Sequence, residues 1–150
     1  MGINIRTKGR TGEQEIAEVL NLIVLTVLTV LNLPTPAKPI IQRNQNQSAV
    51  GGNDLINTFG LSIEVKRQET LAINSWWKQC EDSANRNNEI PVLIFRQNRK
   101  PWRVVLNTNI PVPDSNKFIP VRSEIDWESF QFWFHCHVET QLRNGYEPKI

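Results

Sequence analysis

The chain has 150 residues, of which 39% are hydrophobic and 21% charged, and its formal net charge at pH 7 is +2. This length and composition fit one soluble globular domain with a sizeable core, and they exclude a low-complexity or repeat protein. A net charge of +2 is too small to indicate a polyanionic partner. Acid-free basic clusters at residues 6–10 and 96–103 would nevertheless attract a phosphate backbone, unless they simply form a solvated surface.

The first predicted element is a helix that begins near Gly12 and ends before the prolines at 34–39. One face carries the apolar stripe Ala17, Leu20, Val24, Val27 and Leu31. Glu13 opens this face, where burial of a carboxylate is costly unless the carboxylate binds something. The alternative is an acid in a first helical turn, which the helix dipole favours.

Residues 22–33 are also apolar outside that stripe. The run is shorter than the roughly 20 residues that a membrane span needs, so no membrane association is expected. A helix that is apolar on several sides is buried on several sides, which predicts a dimer interface in a domain of this size. A pair of strands is the competing local structure, because the segment is rich in β-branched residues.

The later elements follow in a regular order. They are an extended segment at 40–46, a hairpin joining 54–56 to 61–67 through the turn at 57–60, a helix at 69–88, a hairpin joining 90–97 to 101–107, a proline-rich loop at 110–122, and a helix from Asp126 to near Gly145. This order predicts an α/β fold with a central mixed sheet flanked by helices. We expect a single domain over 1–150, with a catalytic core at about 7–106 and a C-terminal helical extension at about 121–145. Cys80 and Cys136 are expected to be free, buried thiols in a reducing compartment.

The predicted strand at 61–67 carries the candidate chemistry. Side chains alternate along a strand, so Glu64, Lys66 and Gln68 share one face. The turn at 57–60 would bring Asp54 beside Glu64. Two carboxylates with the Val65 carbonyl between them suit Mg²⁺, and Lys66 would reach the same position.

A surface Glu–Lys pair on a half-exposed strand is the alternative, and such a pair contributes under about 1 kcal/mol. Four further features favour a metal-dependent nuclease instead. They are the Gly51-Gly52-Asn53-Asp54 sequence, the ten-residue spacing between Asp54 and Glu64, Gln68, and Glu13 on the helix.

Four segments in this order resemble the PD-(D/E)xK nuclease superfamily, and within it the archaeal-type Holliday junction resolvases. They are TKGRTGEQEIAEVL, GGNDLI, SIEVKRQ and IPVLIFRQNRKPWRVVL, within about residues 7–106. The resemblance implies a restriction-endonuclease-like fold in which Glu13, Asp54 and Glu64 hold Mg²⁺, with Mn²⁺ as a substitute, and Lys66 is catalytic. The family has a basic residue directly after the helix glutamate, where this chain has Gln14; Arg10, about one turn earlier, is the candidate replacement.

The resemblance implies a function as well as a fold. We expect a Mg²⁺-dependent endonuclease that cuts branched DNA as a homodimer, through residues 22–33 or through Phe130, Trp133 and Phe134 of the last helix. The residues expected to contact DNA are Lys8, Arg10, Arg43, Gln68 and Arg99. The expected compartment is the cytoplasm, that of the host if the protein is phage-encoded. A restriction- or repair-type endonuclease acting on duplex DNA, and a non-catalytic DNA-binding relative, are the alternatives.

Overall fold

The computed structural model describes residues 5–45 and 53–148, with side chains from residue 7 onward. In chain order the elements are α1 (Ile5–Val30), β1 (Gln42–Arg43), β2 (Leu55–Ile56), β3 (Leu61–Arg67), α2 (Ile73–Asn87), β4 (Ile90–Arg96), β5 (Arg103–Pro111), β6 (Phe118–Asp126) and α3 (Trp127–Arg143).

The main sheet has four strands in the order β3-β4-β5-β6. Strands β3 and β4 are parallel and are connected by α2, whereas β4, β5 and β6 pair antiparallel. A separate two-stranded ribbon is formed by β1 and β2. Strand β3 is therefore an edge strand of the main sheet, and its outer edge is available to other parts of the chain.

Helices cover both faces of this sheet. Side chains alternate along β4, so that Val92 and Ile94 pack into the core beneath α1 and α3, while Leu93 and Phe95 pack against Trp76 of α2. The predicted α/β architecture, a central mixed sheet flanked by helices, is confirmed.

Helix α1 begins at Ile5, about two turns earlier than predicted. The residues before Gly12 are mostly polar, so hydrophobic periodicity carries no information there. The predicted apolar stripe is buried up to Val27, and Leu31 lies just beyond the helix as a partly buried contact. A Cβ atom built on Gly12 would lie 3.2 Å from the Trp102 ring, so this glycine allows α1 to lie unusually close to β5.

The C-terminal region differs from the prediction. Residues 110–122, expected to form a loop, contain the end of β5 and most of β6, and residues 121–126, expected within a helical extension, belong to β6. The outer parts of these two strands are exposed, so no alternation of apolar residues marks them. The predicted start of the last helix at Asp126 is confirmed, since Asp126 is the N-cap of α3 and its carboxylate accepts from the Ser129 N–H at 2.7 Å.

Helix α3 contributes to the main core. Phe130 and Phe134 are fully buried there, so the expectation that these two rings are available for a dimer interface is wrong. The prediction that both cysteines are buried holds for Cys80 only, because Cys136 is exposed on α3. Within the described ranges, no helix has the length and the apolar character needed to cross a membrane.

Candidate functional site

Asp54 lies against the outer edge of β3. Its N–H donates to the Ile63 carbonyl at 3.1 Å, and its Oδ2 accepts from the Val65 N–H at 2.7 Å. The predicted hairpin is thus only partly correct, because β2 pairs with β1 and Asp54 itself makes the contact to β3. The N–H and C=O of a strand residue point to the same edge, so the Val65 carbonyl also faces the Asp54 side.

Glu64 is almost completely buried on the same strand, with 1% of its surface exposed. Its carboxyl group is hydrogen-bonded to that of Asp54. Burial and the neighbouring Asp54 charge raise the pKa of Glu64 to about 9. Burial also raises the pKa of Asp54, against the lowering effect of the Val65 N–H. At neutral pH the pair therefore shares a proton that Glu64 donates to Asp54.

Lys66 is half-buried two residues after Glu64 on the same face of β3. Its ammonium group lowers the pKa values of both Asp54 and Glu64, although less than burial raises them. The structure thus brings Asp54, Glu64 and Lys66 together, and the alternation along β3 predicted the shared face of Glu64 and Lys66.

Glu13 approaches from α1 and is 6% exposed. Its Oε2 accepts from the Arg43 Nε at 2.7 Å, and this ion pair joins α1 to β1. The Glu13 charge raises the pKa values of Asp54 and Glu64, so the three carboxyl groups are electrostatic neighbours. Among the residues described, however, no three His, Cys, Asp or Glu side chains converge closely enough to hold a metal ion.

The Asp54–Glu64 pair fits Mg²⁺ by its chemistry. Magnesium in proteins is commonly held by one or two carboxylates, with water and substrate phosphate as the other ligands. The buried Glu64 Oε1 finds no hydrogen-bond donor in the described part of the chain, so it retains an unused lone pair. Glu13 is the third carboxylate near this pair, with Arg43 bound to its Oε2 atom.

A polar network that the sequence did not reveal holds the segment before Asp54. The buried Asn53 side chain donates to Glu89 Oε1 and accepts from Asn87 Nδ2, both at 3.1 Å, and its carbonyl accepts from Asn44 Nδ2 at 2.9 Å. These contacts connect the segment that leads into Asp54 with the end of α2 and with the residue before β4. The preceding Gly51 and Gly52 lie outside the described residues.

The residues expected to contact DNA occupy different settings. Lys8 forms an ion pair with Glu69 at 3.5 Å, and Arg10 is exposed on α1. Gln68 follows β3 directly, and its N–H donates to the Arg96 carbonyl at 3.2 Å. Arg99 is exposed in the turn between β4 and β5 with a positive φ of 60°. Arg43 is engaged with Glu13.

The chain resembles known proteins in sequence over most of its length. A family model described as "Phage putative PDDEXK endonuclease" matches residues 4–135. Protein D14 of Escherichia phage T5 is 33% identical over 43 residues, a stretch that covers 29% of this chain and 27% of D14. This second similarity spans less than a third of either protein. No solved structure matches the chain significantly.

Proposed function

This chain belongs to the family of phage PDDEXK endonucleases, and from that premise we propose that it is a Mg²⁺-dependent, structure-selective endonuclease that hydrolyses phosphodiesters in branched DNA. The family assignment supports a nuclease, and the fold is restriction-endonuclease-like. The selectivity for four-way junctions rests on the similarity of the motifs around Glu13, Asp54 and Glu64 to those of the Holliday junction resolvases.

The observation that carries the proposal is the buried, hydrogen-bonded pair of Asp54 and Glu64 beside Lys66. Burial of two carboxyl groups against each other is unfavourable for a purely structural site, because one of them must stay protonated. A divalent cation relieves this conflict, because it allows both carboxylates to ionise. The arrangement therefore supports a metal-binding role better than it supports a surface ion pair.

We assign the following roles at the site. Asp54, Glu64 and the Val65 carbonyl would hold Mg²⁺, with Mn²⁺ as a substitute, and Glu13 would join them as a further ligand. When bound, the ion supplies positive charge for the phosphate and a more acidic water molecule. The Lys66 ammonium group would contact the reacting phosphate and stabilise the negative charge that develops on its oxygens.

Two other functions are compatible with the same residues. The first is a restriction- or repair-type endonuclease that acts on ordinary duplex DNA, because one carboxylate cluster serves many substrates. The second is a non-catalytic DNA-binding relative. The presence of Glu13, Asp54, Glu64 and Lys66 together argues against the second, since binding alone does not require all four.

Cleavage of a labelled four-way junction, measured beside a duplex of the same sequence with and without Mg²⁺, tests the proposal. We expect Mg²⁺-dependent cuts in the junction at a rate well above that for the duplex, and no cuts by the Asp54→Asn variant. Equal rates on both substrates would favour the restriction- or repair-type enzyme. No cleavage of either substrate in Mg²⁺ or Mn²⁺ would favour the non-catalytic relative.

We further propose a homodimer, because paired cuts at a four-way junction require two active sites related by a two-fold axis. The exposed apolar side chains at the C-terminal end of α1 support this assembly: Leu22, Leu25, Val30 and the adjacent Leu33. We place the reaction in the cytoplasm of the phage host, since both cysteines are free thiols and fit a reducing compartment.

A further inference from the structure

Two arginines lie side by side where the parallel strands end. Arg67 is the last residue of β3 and Arg96 the last of β4, and they are direct partners in the strand register. Neighbouring strands are about 4.8 Å apart, and partners in a parallel pair present their side chains on the same face. Two guanidinium groups therefore emerge together on the face that α1 covers.

Both arginines keep unused hydrogen-bond donors. The Nε atoms of Arg67 and Arg96 are buried and have no acceptor in the described part of the chain. Each guanidinium group has five N–H donors. The Arg67 Nη2 atom donates to Asn98 Oδ1 at a long 3.4 Å, and the Arg96 Nη2 atom lies 3.4 Å from the Glu15 carboxylate. Arginines placed for a structural role alone would be expected to satisfy their buried donors within the fold.

The surrounding side chains hold the pair in position. The Arg96 guanidinium stacks over the Trp102 ring at 4.9 Å, and the Trp102 Nε1–H donates to the same Glu15 that pairs with Arg96. A Cβ atom built on Gly12 would lie 3.6 Å from the Arg67 Cβ, so α1 closes over the base of that side chain. Fixed guanidinium groups suit planar, bidentate recognition of an oxyanion.

We propose that Arg67 and Arg96 together bind one backbone phosphate of the DNA, next to the phosphate that is cut. The inference rests on the proposed function, because Lys66, which would contact the reacting phosphate, directly precedes Arg67. Lys66 and Arg67 project to opposite faces of the edge strand β3. A DNA strand crossing this edge would present one phosphate to Lys66 and a neighbouring phosphate to the arginine pair.

Salt dependence of DNA binding tests this site without relying on cleavage. All proteins carry Asp54→Asn to prevent cutting, and the probe is a fluorescein-labelled duplex titrated in Mg²⁺ at several KCl concentrations. Each phosphate contact contributes about 0.9 to the slope of log K against log salt on duplex DNA. We expect Arg67→Gln and Arg96→Gln each to reduce the slope by up to about 0.9 and to weaken binding.

The double variant is the sharper measurement. Because both arginines hold the same phosphate, Arg67→Gln/Arg96→Gln should lose about 0.9 of slope in total, the value for one phosphate. A loss near twice that size would indicate two separate contacts and would overturn the shared site. An unchanged slope in the double variant, with thermal melting showing that it folds, would overturn the phosphate contact itself.

Arg86→Gln is the matched control, because it removes the same charge from the exposed side of α2. An equal loss of slope in this control would mean that net charge, rather than a site, causes the effect. Arg96→Lys keeps the charge and should retain more of the slope than Arg96→Gln. A duplex probe also separates this proposal from the proposed junction selectivity. The salt dependence of duplex binding can be measured even if the protein shows no preference for junctions.

Discussion

At the scale of single residues, the charge on Asp54 and Glu64 depends on what else occupies the site. Burial raises both pKa values, and the two groups share a hydrogen bond that requires a proton. A cation that binds them must displace this proton, so metal affinity and pH are coupled. Glu13 differs from the pair, because its charge is already compensated by Arg43.

We expect Asp54→Asn and Glu64→Gln each to abolish cleavage and to weaken Mg²⁺ binding by more than about 100-fold. Glu13→Gln should weaken Mg²⁺ binding less, about 10- to 100-fold, because the charge of Glu13 is already compensated by Arg43. Isothermal titration with Mg²⁺ and a cleavage assay provide the two readouts. The exposed Glu18→Gln is the control, and a larger loss for Glu13→Gln than for Asp54→Asn would contradict this ranking.

The stability of the metal-free protein should fall as pH rises. The folded-state pKa of Glu64, about 9, exceeds its reference value of 4.5, so folding takes up a proton between these values. The contribution is complete below about pH 4.5 and is lost as pH rises towards about 9, on the order of 1 kcal/mol for each pH unit. Thermal melting in EDTA should show this slope in the parent protein and a flatter one in Glu64→Gln. An identical slope in the two proteins would show that Glu64 titrates normally.

At the scale of secondary-structure elements, the outer edge of β3 positions the site residues, and part of this arrangement could be predicted. Alternation along residues 61–67 correctly placed Glu64 and Lys66 on one face, and the helix expected at 69–88 is present as α2. Local periodicity is sufficient for such features, because each depends on one element packing against the core.

Features that depend on contacts distant in sequence could not be predicted. Asn53 is hydrogen-bonded to Asn87 and Glu89, which lie 34 and 36 positions later in the chain. Nothing in the local sequence indicates those partners. The Glu13–Arg43 ion pair likewise spans 30 positions. Strand β6 was missed because its exposed residues have no core to impose alternation, and because its proline resembles a loop residue.

Asn53→Ala should destabilise the protein by about 1–3 kcal/mol, because it removes the two hydrogen bonds that the buried Asn53 side chain makes to Glu89 and Asn87. It should also reduce cleavage roughly 10- to 100-fold by loosening the segment that presents Asp54. Urea denaturation and the cleavage assay measure the two effects. Asn109→Ala, at an exposed position in β5, should change stability by less than about 0.5 kcal/mol. A stable but inactive Asn53→Ala protein would place Asn53 in the chemistry rather than in the scaffold.

At the scale of the whole molecule, most of the apolar exposure among the described side chains lies in two regions. One is the outer side of α1, where Leu22 and Val30 are 65% and 62% exposed. The other is the β5–β6 hairpin, where Phe118 and Ile119 are exposed. Helix α3 exposes less apolar surface, because most of its large aromatic side chains face the core. Among them Phe132 alone points to solvent, with 75% of its surface exposed.

We expect the protein to sediment as a dimer at micromolar concentration and Leu22→Glu to convert it to a monomer of 17.3 kDa. A charge placed in an apolar interface must be desolvated without a partner, which opposes association. Phe132→Glu is the matched control and should remain dimeric. Dissociation by Phe132→Glu alone would move the interface to α3, and a monomeric parent protein would remove the dimer altogether.

The exposed Cys136 has a practical consequence for such measurements. Cys80 is buried on the side of α2 that faces the sheet, and burial raises the pKa of its thiol, so it does not form the reactive thiolate readily. A maleimide dye should therefore attach at one place per chain without any mutation. Without a reducing agent, the same Cys136 could cross-link two chains through a disulfide, and the resulting covalent pair would imitate a true dimer in sedimentation. Samples for the assembly experiment need a reductant, or Cys136→Ser, before their mass is interpreted.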